Sequence, residues 1–266
     1  MTKPEKSPFL HSRFMAYNRW YLSRSFHRIH LLENSPSLVS DGQTPILVYM
    51  SHSSWWDMLV ALFINEEFFG WDSYGVMDKR QLERYRFFSK LGMMGVDRTT
   101  LRGAKEFITN ASGFLRGQPR ALWIAPQGEM VSNAMRPLRF QPGLAHLVEA
   151  VGDCYCTPVV LDYEFWADKL PEAFVAYGTP ERVTVESSFD RHAFLKSCEE
   201  KLAAEMDCLT ELRLQRDPIL FRTLLQGQGG ISPLYDVMRG AWAHLRGEEF
   251  SAAHGDVKTG KYGEKS

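Results

Sequence analysis

The sequence of 266 residues is 44% hydrophobic, which is enough to enclose one sizeable core and argues against two equal domains. Its 31 lysine and arginine residues nearly cancel its 32 aspartate and glutamate residues, leaving a formal net charge of −1. This balance excludes any general electrostatic argument for a nucleic-acid partner.

The N-terminal segment, residues 1–25, is basic and aromatic. Before residue 33 the chain carries six lysine and arginine residues against one acidic residue. If the segment is helical, Phe14, Tyr17 and Tyr21 lie on one side, where rings favour a membrane interface and arginines reach anionic head groups. We therefore predict an amphipathic helix that contacts a membrane surface. An amphipathic helix packed only on its own domain is the alternative.

Short apolar runs that alternate with helical patterns follow this segment. The runs predict buried strands at residues 45–50, 121–124 and 158–161, and weaker patterns predict strands at 73–77 and 173–177. Apolar residues spaced by three and four predict helices from Leu101 to Leu115 and from Leu195 to Leu212. Residues 26–215 are thus predicted as a single α/β domain, with a mostly parallel or mixed central sheet flanked by helices.

The C-terminal part differs in composition. Beyond "QGQGG" at 226–230, Pro233 can begin a last helix, and residues 216–247 are predicted as a C-terminal helical extension. Residues 248–266 are polar and small, so we predict a disordered tail there.

Cysteine spacing and apolar run length set further expectations. Cys154, Cys156, Cys198 and Cys208 fit no zinc spacing, so no metal site is predicted. Cys154 and Cys156 fall on one face of a strand and Cys198 on an apolar helix face, so these three are expected to pack in the core. No secretory signal is recognisable, which favours a reducing, cytoplasmic setting. The longest apolar stretch is interrupted by charged and polar residues and falls short of the ~20 residues that span a bilayer.

The stretch "SHSSWWD" at 51–57 places a histidine five residues before an aspartate. His52 follows a predicted strand at its carboxyl end, where open α/β sheets usually carry their chemistry. Asp57 falls in the first turn of the next helix, with Ser53 or Ser54 as the predicted N-cap. The carboxylate can then orient the imidazole and make His52 a general base. A capping aspartate beside an incidental histidine is the alternative reading.

Four ordered motifs resemble the glycerolipid acyltransferase family, which includes 1-acylglycerol-3-phosphate acyltransferase. They are "SHSSWWD", "MGVDR" at 94–98, "APQGEMVS" at 125–132 and "CTPVVL" at 156–161. The resemblance covers about residues 26–180. It implies acyl transfer from acyl-CoA or acyl carrier protein to a hydroxyl of a lysophospholipid or related lipid, without a cofactor. It also implies a peripheral protein at the cytoplasmic face of the inner membrane.

The resemblance also assigns residues to roles. His52 is implied as the catalytic base and Asp57 as its partner. The implied substrate-binding residues of the second and third motifs are Gly95, Arg98, Pro126, Gln127, Gly128 and Glu129.

Each of these roles has a physical reading and an alternative. Arg98 can grip a phosphate or carboxylate through two parallel hydrogen bonds, or form a surface salt bridge with Asp97 or a neighbouring residue. The N–H of Gly128 can face a developing oxyanion, or the glycine can simply serve a turn. Trp55 and Trp56 can wall a groove for an acyl chain, belong to the core, or do both.

The third motif departs from the family pattern of glutamate, glycine, threonine and arginine. Here Gln127, Gly128, Glu129 and Met130 occupy those places, and the carboxylate of Glu129 would repel a dianionic head group. Arg136 and Arg139 can compensate from further along the loop. Otherwise the acceptor carries no phosphate, as in a glycosylated carotenoid or an aminolipid.

Two other functional classes stay open. A thioesterase or lipase-like hydrolase would act on the same acyl chains, but the sequence has no G-x-S-x-G nucleophile motif. A non-catalytic protein that binds acyl lipids would keep the aromatic and basic surface and show no transfer.

Overall fold

One mixed sheet organises the computed structural model, which describes residues 4–33, 35 and 41–229. The strands are β1 Arg28–Leu32, β2 Ile46–Met50, β3 Asp72–Asp78, β4 Met93–Val96, β5 Arg120–Ile124, β6 Cys154–Glu164, β7 Glu172–Tyr177, β8 Glu181–Val183 and β9 Phe221–Gln226. The α-helices are α1 Pro8–Ser25, α2 Asp57–Ile64, α3 Lys79–Arg84, α4 Leu101–Leu115, α5 Gly143–Val151 and α6 Arg191–Leu214.

The sheet has a parallel part and a mixed part. The strand order is β4-β3-β5-β2-β6-β7-β1-β9, with β8 paired to β6. Strands β2 to β6 pair in parallel. Beyond them, β6 pairs antiparallel with β7 and β8, and β1 pairs in parallel with β7 and antiparallel with β9. The parallel strands therefore end at one shared edge, and side chains that follow them in sequence are brought together there.

The sheet is covered on both faces, which explains why its central strands are apolar throughout. All five residues of β2 are buried. Leu47 and Tyr49 pack in a cluster with α4, α5 and α6, while Ile46, Val48 and Met50 face the cluster that includes α2 and α1. A strand enclosed in this way reads as a continuous hydrophobic run. The α/β fold class predicted from those runs is confirmed.

The N-terminal helix α1 packs against the domain with one face and exposes the other. Met15, Asn18 and Leu22 are buried, and Asn18 Nδ2 donates to the Leu59 carbonyl of α2 over 2.8 Å. On the outer side, Tyr17 and Trp20 are each about half exposed. No helix in the described ranges combines the length and the apolar character that crossing a bilayer requires.

The C-terminal part of the described chain differs from its prediction. Within the predicted helical segment 216–247, residues Pro218–Leu220 form one 3₁₀ turn and Phe221–Gln226 form β9. The strand forms because Phe221 and Leu225 point into the core while its backbone pairs with β1. The remainder of that segment and the predicted tail 248–266 lie outside the described residues.

Candidate active site

The end of β2 is fixed to β6 before the chain reaches His52. The hydroxyl of Ser51, which is fully buried, accepts a hydrogen bond from the Leu161 N–H over 2.9 Å and donates to the Leu161 carbonyl over 3.3 Å. Ser51 N–H in turn donates to the Val159 carbonyl at 3.0 Å. His52 therefore leaves the sheet from a rigid point at the shared carboxyl edge.

His52 and Asp57 form a hydrogen-bonded pair. His52 Nδ1 lies 2.9 Å from Asp57 Oδ2. The Asp57 side chain is 0% exposed, whereas that of His52 is 25% exposed. An ionised carboxylate only accepts hydrogen bonds, so Nδ1 carries the proton in the neutral ring. Nε2 is left with a lone pair and can accept a proton from a bound molecule.

Asp57 also closes the turn that leads into α2. Its Oδ2 accepts hydrogen bonds from the backbone N–H groups of Ser53 and Ser54, each over 2.8 Å. The predicted serine N-cap is corrected, because α2 begins after Trp56 and has no side-chain cap of its own. The carboxylate reaches back to these N–H groups instead. Capping and orientation of the imidazole are thus performed by the same aspartate.

Tyr163 contributes a contact that sequence reasoning missed. Its hydroxyl donates to the second carboxylate oxygen, Asp57 Oδ1, over 2.6 Å. Burial, and then the negative charge of Asp57, raise the pKa of Tyr163 well above its usual value, so the hydroxyl stays protonated. Its position near the end of β6, the strand next to β2, was the available signal.

The second and third motifs meet at Arg98 and Gly128. A Cβ atom at Gly128 would lie 3.0 Å from Arg98 Nη1. The predicted alternative of a salt bridge with Asp97 is not observed, because the Asp97 carboxylate accepts from Thr99 and Thr100. Among the residues the structure describes, Arg98 forms no salt bridge and is exposed. A free guanidinium therefore lies directly beside the glycine turn.

Gly128 itself serves a turn. Its N–H donates to the Ala125 carbonyl over 3.1 Å, and its φ is +80°. The oxyanion reading is therefore corrected, since the N–H is already engaged. The glycine is needed for its left-handed backbone and for the close approach of Arg98.

The loop after β5 is attached to the histidine through its backbone. Val131 N–H donates to the His52 carbonyl over 2.8 Å, and Gln141 N–H donates to the Pro126 carbonyl over 2.8 Å. Gln127 is buried, and its Oε1 has no hydrogen-bond partner within the described chain. A buried acceptor without a partner is costly, so this atom is suited to receive a donor from a bound molecule.

The charged residues of this loop differ in exposure and in pairing. Glu129 and Arg139 are exposed. Arg136 is engaged by the protein: Nη2 pairs with Asp207 of α6, and Nη1 donates to the Asn133 carbonyl over 2.7 Å. Of the two arginines predicted to compensate for the missing arginine of the third motif, Arg136 is thus engaged by the protein and Arg139 is exposed, and the compensation stays a prediction.

The two tryptophans differ in their surroundings. Trp55 is 62% exposed. Trp56 is partly buried, with its ring centroid 5.3 Å from that of Tyr21 and 5.0 Å from that of Phe26. Trp56 thus joins α1 to the turn that holds the histidine, whereas Trp55 is open to solvent, and the groove for an acyl chain stays a prediction.

Gly95 lies on the edge strand β4, away from His52 and Arg98. It is buried and lines a cavity of about 380 Å³ together with Met93, Asn110 and Phe114. Of the described residues, neither His52 nor Arg98 lines that cavity. The role predicted for Gly95 in binding an acceptor stays a prediction.

Comparison with known proteins gives a match to a protein family. The family model described as Acyltransferase matches residues 27–162, slightly more than half of the chain. That range includes the histidine, its aspartate, Arg98 and the loop after β5. No curated protein matches the sequence. Within the described residues, no cluster of histidine, cysteine and carboxylate side chains is arranged to hold a metal ion.

Proposed function

Because the chain belongs to the acyltransferase family, we propose that it transfers a fatty acyl group from an acyl thioester to a hydroxyl of a lipid acceptor. Acyl-CoA or acyl carrier protein would be the donor, and a lysophospholipid or a related lipid the acceptor. The contact between His52 Nδ1 and Asp57 Oδ2, 2.9 Å long, carries this proposal. It leaves Nε2 as a base oriented by a buried carboxylate.

The proposed reaction needs one base. His52 Nε2 takes the proton of the acceptor hydroxyl as that oxygen attacks the thioester carbonyl carbon. The carbon–sulfur bond breaks as the new ester forms, and the imidazolium returns its proton to the departing thiolate. Asp57 stabilises the imidazolium between these steps. The proposal includes no covalent acyl-enzyme and no cofactor.

Ser51, the serine that precedes His52, offers no competing nucleophile. It is fully buried, and its hydroxyl is bound to the backbone of Leu161. This favours a bound hydroxyl as the attacking group over Ser51.

The acceptor would be held at Arg98. Its guanidinium is exposed, forms no salt bridge within the described chain, and lies beside the turn of Gly128. A planar cation of this kind binds phosphate or carboxylate oxygens in pairs. These features support a lysophospholipid acceptor.

A second acceptor class is favoured by one specific observation. Gln127 Oε1 is buried without a partner in the described residues. A carbonyl oxygen accepts hydrogen bonds from hydroxyl or ammonium groups, and a phosphate dianion has none to give. The unpartnered Gln127 oxygen, together with the carboxylate of Glu129 nearby in sequence, supports a sugar-bearing or amine-bearing acceptor such as a glycosylated carotenoid or an aminolipid.

Gly128→Ala should weaken the binding of an anionic acceptor. The new methyl group would press on Arg98 Nη1, so we expect the KM for that acceptor to rise roughly 5-fold, equivalent to about 1 kcal/mol. Steady-state kinetics with purified protein would measure it. Gly117→Ala is the matched control, because Gly117 also has positive φ, +65°, but has open space where the methyl would lie. Equal KM values in both variants would contradict a role for this contact.

We also propose that the outer face of α1 docks on an anionic membrane, as a peripheral contact at the cytoplasmic face of the inner membrane. Tyr17 and Trp20 are exposed there, and the guanidinium of Arg24 lies 5.0 Å from the Trp20 ring centroid. Exposed rings next to arginines fit the interfacial region of a lipid bilayer. The contact of Tyr21 with Trp56 places this helix next to the histidine turn.

A double substitution, Tyr17→Ser with Trp20→Ser, should lower binding to vesicles. Removing two interfacial rings weakens insertion, and we expect the partition coefficient onto the vesicles to fall roughly 10-fold, equivalent to about 1.4 kcal/mol. Co-sedimentation with vesicles rich in phosphatidylglycerol measures this. Ile219→Ser serves as the control, since Ile219 is 83% exposed and lies outside α1. Unchanged binding of the double variant would rule out this face.

The function itself is tested by product identification. Purified protein is incubated with radiolabelled acyl-CoA or acyl carrier protein, with and without a total membrane lipid extract. A labelled lipid that appears only with the extract supports acyl transfer, and its head group distinguishes phosphate acceptors from sugar or amine acceptors. Release of free fatty acid without the extract indicates a hydrolase. Donor binding with no product indicates a lipid-binding protein.

A further inference from the structure

We propose that Tyr163 is a positioning residue of this site, which acts on His52 through Asp57 and does not touch the substrate. The inference rests on the proposed function, because it assigns a part in the same reaction. It begins from the 2.6 Å hydrogen bond between the Tyr163 hydroxyl and Asp57 Oδ1.

The two oxygens of Asp57 have separate partners. Oδ2 accepts from His52 Nδ1 and from the N–H groups of Ser53 and Ser54. Oδ1 faces Tyr163, and no second hydrogen bond reaches it within the described residues. Because the aspartate side chain is 0% exposed, no bulk solvent replaces that donor. The hydroxyl therefore fixes how the carboxylate is rotated about its Cβ–Cγ bond.

That rotation decides the geometry of the imidazole. Oδ2 lies 2.9 Å from His52 Nδ1, so rotation of the carboxylate would carry this oxygen away from the ring N–H. A carboxylate free to rotate would share its oxygens between the backbone N–H groups and the ring. The population of rings with Nε2 aimed at an acceptor would then fall.

Tyr163 is itself held firmly. It belongs to β6, whose backbone pairs with β7 opposite Ala173. Its ring centroid lies 5.8 Å from that of Phe26, which packs edge-on against Trp56 at 5.0 Å. The raised pKa of Tyr163 keeps its proton in place at any ordinary assay pH. A rigid and permanent donor is what an orienting role requires.

Tyr163→Phe keeps the ring and its packing and removes the hydroxyl alone. We expect kcat to fall about 10-fold, the size of one lost hydrogen bond to a charged group, with KM for donor and acceptor unchanged. The pH profile of kcat/KM should change as well, because the carboxylate that faces the imidazolium is then held differently. Tyr177→Phe, a buried tyrosine of the neighbouring strand β7, is the matched control and should change neither quantity.

A spectroscopic readout tests the same idea without turnover. In protein labelled with ¹⁵N-histidine, the His52 signal, assigned by its loss in His52→Ala, should report the Nδ1–H tautomer at pH above the imidazole titration. Tyr163→Phe should give a mixture of tautomers, and Tyr177→Phe should not. The measurement remains valid if the variant is less stable, provided that it is folded.

The outcomes separate the two proposals. If the wild-type protein transfers acyl groups and Tyr163→Phe keeps its kcat, its pH profile and its tautomer, the positioning role is overturned. If the wild-type protein transfers no acyl group to any acceptor, the proposed function fails. The tautomer result still decides the orienting contact in that case.

Discussion

Replacing His52 with alanine is expected to lower the rate of acyl transfer by about 10²- to 10⁴-fold, the usual contribution of a general base. The variant loses the imidazole that Asp57 orients, and in the proposed reaction the acceptor hydroxyl then has no base to take its proton. The fold should persist, because the side chain is partly exposed and its backbone carbonyl still accepts from Val131. Turnover with a fixed acyl donor measures the effect, and circular dichroism checks the fold.

His192→Ala is the control for this change. His192 lies in the first turn of α6, is exposed, and belongs to no part of the proposed site. Its turnover should equal that of the wild-type protein. A His52→Ala variant with near-normal turnover would show that proton removal does not depend on this ring.

Asp57→Asn should have the second largest effect, a loss of roughly 10²-fold or more in kcat. The amide can keep its oxygen toward the backbone N–H groups of Ser53 and Ser54 and its NH₂ toward the Tyr163 hydroxyl. It carries no charge, however, so the imidazolium formed during proton transfer is no longer stabilised. We expect turnover to fall far more than thermal stability, and both are measured on the same preparation.

A second buried pair supplies the comparison for Asp57→Asn. His30 Nε2 lies 2.6 Å from Glu172 Oε2, and both side chains are almost fully buried between β1 and β7. Glu172→Gln also removes a negative charge that faces a histidine, but this histidine, His30, is closed to solvent. It should lower the melting temperature and leave kcat unchanged. If both variants lost activity in proportion to stability, Asp57 would have a structural role only.

Strands and contacts that depend on residues close in sequence were predictable from the sequence. Residues 45–50 and 121–124 read as apolar runs because those strands are enclosed on both faces of the sheet. The approach of His52 to Asp57 was predictable from five-residue spacing across a strand-to-helix corner. The strand β1 was missed, because its polar His30 interrupts the apolar pattern and is paired with Glu172 only in the fold.

Contacts between distant segments were not predictable. Tyr163 meets Asp57 from 106 residues away, and Arg136 meets Asp207 from 71 residues away. No local spacing encodes such pairs, since they depend on the order in which strands and helices pack. The resemblance of the third motif to the family predicted a role for Gly128. Only the structure showed that Arg98 lies close to this glycine.

The attachment of the loop after β5 has a consequence for how this protein can change. The loop carries Gln127, Glu129 and Arg139, yet the backbone hydrogen bond that links it to the histidine comes from Val131 and involves no side chain. The exposed residues Glu129 and Arg139 can therefore be exchanged without loss of the hydrogen bond that holds the base, whereas Gly128 cannot, because its backbone is left-handed. Under the proposed function, the contact that positions the base is thus separate from the exposed side chains that would meet an acceptor, so a change of acceptor requires no change in the base.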